Sequence, residues 1–196
     1  MQRRVFLGGL AGLAAAGLAA PPALALTAGD AASLVTRVLA EIEGVAASGR
    51  AQSAMDAEYA GIFARYADVP AIASYVMGVD GRRASSAQKA AFQEAFTGYA
   101  ARKYGRRAGD LVGATIKVNS VRKVKSFHEV QCSAQLRGAA PLAVNFMVSE
   151  RGSALFFNLT VSGTNLLLNE RTEIGTLIDR RQGDIDAMIA DLRTAG

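Results

Sequence analysis

The amino-acid sequence predicts an α+β fold in which about six to seven helices wrap a curved four-stranded antiparallel sheet (a meander). Apolar residues recur at helical spacing from residue 30 to about residue 108, then alternate along four short stretches after Gly113. The connections between these stretches, such as residues 138–141 and 149–153, are too short for crossover helices. Because one face of each strand is apolar, we expect the helices to cover the sheet.

Residues 1–25 have the features of an export signal. Arg3 and Arg4 precede an apolar stretch rich in glycine and alanine, and residues 23–25 form a small-x-small cleavage site. The order Arg-Arg-x-Phe-Leu resembles a twin-arginine signal, and an ordinary secretory signal is the alternative. A membrane anchor is disfavoured because the stretch is barely long enough to span a bilayer and ends in two prolines. We expect export to the periplasm, with residues 26–196 forming one domain.

Helical spacing and capping residues predict four helices before Gly113. The first opens with Asp30 as N-cap and loosens at residues 44–49, and the third restarts at Asp68 just before Pro70. Ser85 and Gln88 form a capping box that opens the fourth. The apolar stripes of these four helices are formed, in order, by Leu34, Val35, Val38, Leu39 and Ile42; by Met55, Tyr59, Ile62, Phe63 and Tyr66; by Ile72, Tyr75 and Val76; and by Phe92, Phe96 and Tyr99.

Strand-like alternation follows in four places, and helical spacing then returns. The alternating stretches cover residues 115–118, 130–136, 142–148 and 155–161. Helical spacing resumes at Leu166, and the last helix opens at Asp184.

Charge and composition favour binding over catalysis. Removal of Arg3 and Arg4 lowers the net charge from +5 to +3, too little to indicate nucleic-acid binding by itself. Cys132 is the only cysteine, which excludes an intramolecular disulfide, and its place in an alternating stretch indicates a small buried residue. The single histidine, His128, and the lack of a Gly-x-Ser-x-Gly motif leave few catalytic groups. We expect no metal, no cofactor and no enzymatic activity.

Several segments resemble the motifs of one family. Residues 65–78 read R-Y-A-D-V-P-A-I-A-S-Y-V-M-G and are similar to the family segment F-D-V-x-x-M-A-R-x-V-L-G. Residues 82–96 resemble W-R-x-A-S-x-x-Q-R-x-x-F-x-x-A-F, and Tyr104 lies where a Thr-Tyr closes that helix. Residues 158–171 resemble D-V-x-V-E-G-V-S-L-V-x-N-Y-R. These are the marks of the MlaC family of periplasmic phospholipid-binding proteins, also called toluene-tolerance proteins.

The resemblance covers residues 55–192 with a few departures. Residues 80–81 replace the family's aromatic residue before the arginine pair. Asn158, Ser162, Glu170 and Ile174 stand where the family has Asp, Glu, Tyr and Phe. These positions affect ligand and partner contacts, whereas the fold that the resemblance implies, an NTF2-like sheet-and-helix scaffold, is unaffected.

The resemblance implies a soluble lipid shuttle. Such a protein exchanges a phospholipid between an outer-membrane lipoprotein–porin complex and an inner-membrane ABC transporter that bears an MCE-domain ring. A related branch lies among hopanoid-associated proteins, so a triterpenoid is the alternative ligand. Two other functions stay open: a ligand-free envelope adaptor, and a hydrolase of envelope lipids that uses His128.

The expected lipid site lies between the helical stripes and the inner face of the sheet. The same apolar pattern also fits an ordinary packed core, because both need hydrophobic residues. The basic residues 102–107 and 122–125 are candidates for steering toward anionic lipids or an acidic partner, or are simply solvated ends. Arg171 matches a family arginine and is expected at the pocket mouth or in a salt bridge. The predicted lipid-binding residues are Met55, Tyr59, Phe63, Ile72, Tyr75, Val76, Phe92, Phe96, Tyr99, Phe146, Phe157, Leu159, Val161, Leu166 and Arg171.

Overall fold

A computed structural model describes residues 26–108, 113–136, 138, 140–149 and 154–196. The predicted export signal, residues 1–25, lies outside these ranges. The α+β class is confirmed by the order of the elements. They are α1 (Ala28–Ala46), α2 (Gln52–Tyr66), α3 (Val69–Met77), a 3-10 helix (Asp80–Arg82), α4 (Ser86–Ala108), β1 (Thr115–Val124), β2 (Phe127–Gln135), β3 (Leu142–Ser149), β4 (Leu155–Val161), β5 (Thr164–Asn165), α5 (Leu166–Arg180) and α6 (Ile185–Thr194).

The sheet is an antiparallel meander in the order β1-β2-β3-β4-β5. Its fifth strand is only 2 residues long and was missed by the sequence prediction of four strands. Ser162 and Gly163 connect β4 to β5 with φ angles of 47° and 82°, the positive values of a tight hairpin turn. This turn positions Asn165, whose side chain accepts a hydrogen bond from the Leu168 amide and caps α5.

A β-bulge in β4 determines which of its residues face the core. Phe156 pairs with Val148, and the register then shifts at Phe157. Phe156 is 6% exposed, whereas Leu155 pairs with Ser149 on the opposite face of the sheet. The predicted alternation through residues 155–161 was therefore wrong at its start, because one extra residue in the strand reverses the side on which Leu155 lies.

The first helix starts with a capping box rather than with Asp30 as N-cap. Thr27 is the N-cap: its hydroxyl accepts a hydrogen bond from the Asp30 amide at 3.1 Å. In turn, the Asp30 carboxylate accepts a hydrogen bond from the Thr27 amide at 3.0 Å. Hydrogen bonds from Thr27 hold the pKa of the Asp30 carboxyl below its ordinary value. The prediction of this N-cap was wrong by three residues, since Asp30 occupies the third helical position.

The other predicted helix starts are confirmed by their hydrogen bonds. Asp68 and Asp184 each accept an amide hydrogen bond in the first turns of α3 and α6. The Ser85 hydroxyl accepts from the Gln88 amide at 3.1 Å, and the Gln88 side chain accepts from the Ser85 amide at 3.0 Å. This capping box starts α4, the longest helix among the described residues.

The helices cover one face of the sheet. α4 packs against α1, α2, α3 and α6, while α1 lies on β1 and β2, and α5 lies on β4. Val130, Phe146 and Val148 line the inner face of the sheet and are at most 2% exposed. Among the described residues, no helix has both the length and the hydropathy that a membrane span requires. The helices and the sheet thus enclose a shared apolar interior.

Candidate binding cavity

A cavity of about 470 Å³ lies between the helices and one end of the sheet. The sheet contributes the first part of β1 (Ile116), the end of β2 (Ala134), the first part of β3 (Leu142) and the end of β4 (Val161). These four positions share one end of the antiparallel sheet. The volume lies within the range of about 300–1,000 Å³ that is typical of small-molecule sites.

Nine of the predicted lipid-binding residues line this cavity. They come from α2, α3, α4, β3, β4 and α5, and together they form an almost entirely hydrocarbon and aromatic surface. These residues are Tyr59, Phe63, Ile72, Phe96, Phe146, Phe157, Leu159, Val161 and Leu166. The role of these residues in lipid binding stays a prediction.

Three other predicted residues belong to the protein interior beside the cavity. Phe92 is 0% exposed and stacks on Phe96, with ring centres 5.6 Å apart. Val76 is 1% exposed in α3, and Met55 is partly buried at the start of α2. The cavity lining begins one turn further along α2 and α4 and lies one turn earlier in α3, so these residues pack in the interior instead of lining the cavity.

Tyr75, Tyr99 and Arg171 also lie outside the cavity lining. The guanidinium of Arg171 stacks on Tyr75, 4.9 Å from the ring centre, and donates a hydrogen bond to the Tyr75 carbonyl at 3.0 Å. A cation at the C-terminal end of α3 stabilises its last carbonyl groups, so these contacts give Arg171 a structural role. The Tyr99 hydroxyl instead bonds to the Glu173 carboxylate at 2.7 Å.

Sequence reasoning missed a second set of lining residues. α1 contributes its apolar face, and α4 continues beyond Phe96 with residues one and two turns later. The helical period of α4 extends from Phe96 to Ala100 and Tyr104, and could have identified both. These additional residues are Val38, Leu39, Ile42, Ala100, Ala101, Tyr104 and Gly105.

A polar cluster borders the cavity on the α4 side. Lys103 Nζ donates hydrogen bonds to Glu170 Oε1 at 2.7 Å, to Glu173 Oε2 at 2.5 Å and to the Tyr99 hydroxyl at 2.7 Å. The Tyr104 hydroxyl donates to the same Oε1 of Glu170. Glu170 is 4% exposed and is part of the cavity wall. The cavity thus combines a hydrocarbon interior with one buried carboxylate.

Burial and hydrogen bonding shift the pKa values of this cluster. Burial, followed by hydrogen bonding to carboxylates, raises the pKa values of Tyr99 and Tyr104 well above 10, so both hydroxyls keep their protons. Burial lowers the pKa of Lys103, but hydrogen bonds to the two glutamates outweigh it and the net shift is upward. Glu173 has a lowered pKa because hydrogen bonds from Lys103 and Tyr99 outweigh its own burial.

The single cysteine and the single histidine of the sequence, Cys132 and His128, do not line the cavity. Cys132 is 2% exposed on β2, and burial raises the pKa of its thiol to about 11. His128 is 4% exposed near the start of β2, at the other end of the strand from the cavity. Within the described ranges, no three His, Cys, Asp or Glu side chains are grouped so as to bind a metal ion. The cavity wall is suited to hold an apolar ligand.

The fold and the sequence match known proteins. The fold is similar to that of the phospholipid-binding protein from Ralstonia solanacearum, which was crystallised in complex with a phospholipid. The TM-score is 0.72 over 83% of this chain and 94% of that chain, with 16% sequence identity, so this likeness concerns the fold. No curated protein matches the chain.

A family model covers nearly all the described elements. Residues 32–194 match the model of the MlaC protein, from the first turns of α1 to the end of α6. Proteins of this family are periplasmic, non-enzymatic lipid-binding carriers. The chain therefore belongs to the MlaC family, as its motifs predicted.

Proposed function

We propose that this protein is a periplasmic carrier that encloses the acyl chains of a phospholipid in its cavity. The observation that carries the proposal is the apolar cavity between the helices and one end of the sheet, lined by residues of five helices and four strands. Family membership supports the proposal. So does the related Ralstonia protein of the same fold, which was crystallised with a phospholipid.

The energetics of hydrocarbon transfer explain why such a carrier needs an enclosed cavity. Two acyl chains contain about 30 methylene groups, and burial of each is worth ~0.8 kcal/mol, or roughly 24 kcal/mol in total before the costs of binding. Escape of the lipid into water is therefore negligibly slow. Release requires a partner or a bilayer that accepts the chains directly as the cavity opens.

The proposed route connects the two membranes of the cell envelope. Residues 1–25 direct export, and the mature chain, residues 26–196, then shuttles lipid. Its partners are an outer-membrane lipoprotein–porin complex and an inner-membrane ABC transporter with an MCE-domain ring. The net charge of about +3 after signal removal favours approach to anionic lipid surfaces.

A charge placed in the cavity tests the proposal. Val161 lies in the cavity wall at the end of β4, and its neighbour Thr160 pairs with Asn145 on the other face of the sheet. We expect Val161→Asp to reduce co-purified lipid at least tenfold, because an unpaired carboxylate against hydrocarbon is strongly unfavourable. Thr160→Asp is the matched control and should retain lipid. Lipid is measured by native mass spectrometry after export and purification.

Two results would contradict the proposal. One is wild-type protein that carries no lipid and takes up none from vesicles. The other is full lipid retention in folded Val161→Asp protein, with folding verified by circular dichroism. Extraction of the bound lipid identifies its class at the same time, so a triterpenoid would be recognised directly.

A further inference from the structure

Glu170 has one carboxylate oxygen that the protein itself leaves unsatisfied. Oε1 accepts hydrogen bonds from both Lys103 and Tyr104. Oε2 is buried and has no hydrogen-bond partner in the described part of the chain. Buried carboxylate oxygens without partners are unfavourable and rare, so this oxygen requires an explanation.

The position of Glu170 links this oxygen to the ligand. Glu170 belongs to the cavity wall, whereas Glu173, one turn later in α5, does not. The side chain of Glu173 is 47% exposed and that of Glu170 is 5% exposed. The torsion that turns a carboxylate about its last bond has a broad energy well, so a rotation of the Glu170 carboxylate can bring Oε2 to a group inside the cavity.

The same end of the cavity also carries a positive charge. Arg107 is exposed, lines the cavity and lies one turn beyond Tyr104 in α4. Its charge lowers the pKa of Tyr104, although burial and Glu170 raise that pKa more. The Tyr104 hydroxyl, which donates to Glu170, is therefore close enough to Arg107 to feel its charge. A cation and an anion close together fit a headgroup that has a phosphate and, a few bonds away, a hydrogen-bond donor.

We propose that Glu170 Oε2 accepts a hydrogen bond from the lipid headgroup while Arg107 contacts its phosphate. The ligand class is a phospholipid whose headgroup carries an N–H or O–H donor. This inference rests on the proposed carrier function and adds headgroup selectivity to it. Ethanolamine and glycerol headgroups supply such a donor, whereas choline carries a similar positive charge but has no N–H or O–H.

Stepwise methylation of the headgroup tests the proposed hydrogen bond to Glu170 and requires only the wild-type protein. Delipidated mature protein is mixed with equimolar vesicles of dioleoyl phosphatidylethanolamine, its N-methyl and N,N-dimethyl derivatives, and dioleoyl phosphatidylcholine. A parallel set pairs dioleoyl phosphatidylglycerol with phosphatidylcholine and tests a hydroxyl donor. We expect donor-bearing lipids to be recovered about tenfold over phosphatidylcholine, the ratio expected for one hydrogen bond to a charged group.

An isosteric variant identifies the residue responsible. In Glu170→Gln the oxygen can still accept from Lys103 and Tyr104, and an NH₂ donor replaces Oε2. We expect the tenfold preference to fall to about one among the lipids that the variant binds. Glu173→Gln removes the same charge beside Lys103 outside the cavity and should keep the preference. Thermal melts of each variant verify folding.

The outcomes separate this inference from the proposed function. Equal recovery of all headgroups by the wild-type protein overturns the inference, as does a preference that persists in folded Glu170→Gln protein. A preference within the ethanolamine series supports the inference and identifies an N–H donor. A preference for phosphatidylglycerol supports it when Glu170→Gln abolishes that preference and overturns it when the preference persists, because phosphatidylglycerol also carries a net negative charge that phosphatidylcholine lacks. Failure of the wild-type protein to take up any lipid instead overturns the carrier function.

Discussion

At the scale of single residues, Lys103 forms ion pairs with both carboxylates beside the cavity. It is the hydrogen-bond donor shared by Glu170 and Glu173, and its side chain is 24% exposed. Glu170 is nearly inaccessible to water, so the loss of Lys103 leaves a buried carboxylate with only the Tyr104 hydroxyl as donor. Breaking a buried pair from one side is much more costly than the pair's own net contribution.

We predict that Lys103→Met destabilises the protein by about 2–3 kcal/mol, somewhat less than the ~3–5 kcal/mol of a fully buried pair because Lys103 retains contact with water. The free energy of unfolding in urea at pH 7 measures this change. Lys89→Met removes a lysine from an exposed position of α4 and should change stability by less than about 0.5 kcal/mol. Equal effects of the two substitutions would contradict the assigned role of Lys103.

The same cluster predicts a dependence of stability on acid pH. The pKa of Glu173 is lowered in the folded protein, so its contribution is present above the ordinary value of 4.5 and is lost as the pH falls through the lower folded value. Lys103→Met removes one cause of that lowered pKa. We therefore expect the difference in unfolding free energy between wild type and variant to shrink from pH 7 to about pH 3. A difference that grows in acid would argue against this assignment.

At the scale of elements, the close approach of α2 to α4 shapes the cavity. Gly105 is buried in α4, and a Cβ atom at this position would overlap the ring of Tyr59 in α2. Both residues line the cavity. Only glycine at position 105 lets the Tyr59 ring pack directly against the backbone of α4. This close packing accounts for a glycine in a helix interior, where glycine is otherwise destabilising.

We predict opposite effects for two glycine-to-alanine substitutions. Gly105→Ala forces the Tyr59 ring to move, and we expect a net loss of about 1–2 kcal/mol together with weaker lipid binding. Gly61 lies in α2 with no atom within 4 Å of its added Cβ, so Gly61→Ala should stabilise the protein by up to about 1 kcal/mol. Thermal melts distinguish the two, at roughly 2–4 °C per kcal/mol for a chain of this size. Stabilisation by Gly105→Ala would refute the packing argument.

At the scale of the whole molecule, the cavity is the space that the helices leave above one end of the sheet. α1, α2 and α4 lie on one side and the inner faces of β1 to β4 on the other, with α5 closing the edge. An apolar ligand that fills this space binds the folded state and has no comparable site in the unfolded chain. Ligand binding should therefore contribute directly to stability.

Removal of the lipid should lower the melting temperature. At a ligand concentration of about 100 times Kd the expected loss is ~2.7 kcal/mol, which corresponds to roughly 5–10 °C. The comparison is between lipid-loaded protein and the same preparation delipidated under native conditions. Val161→Asp protein should show no such difference. Identical melting temperatures of loaded and delipidated wild-type protein would exclude binding to the folded cavity.

The sequence was sufficient for the six α-helices and the four longer strands, and for several of their ends. The capping pair of Ser85 and Gln88 predicted the start of α4, because its hydrogen bonds are local. The sequence was insufficient to predict β5 or the inward position of Phe156. A bulge or a two-residue strand depends on pairing with a neighbouring strand, which leaves no periodic signal in the chain itself.

The apolar stripes determined by themselves that the helices cover one face of a sheet, since period and polarity are local properties of the chain. The family was also determined by motifs along the chain. Only the tertiary structure decided that Phe92 fills the core while Phe96, one turn away on the same stripe, lines a cavity. It also placed Glu170 in the wall and Arg171 against α3. Hydrocarbon side chains satisfy a core and a cavity equally well, so the difference depends on which surfaces of separate elements meet.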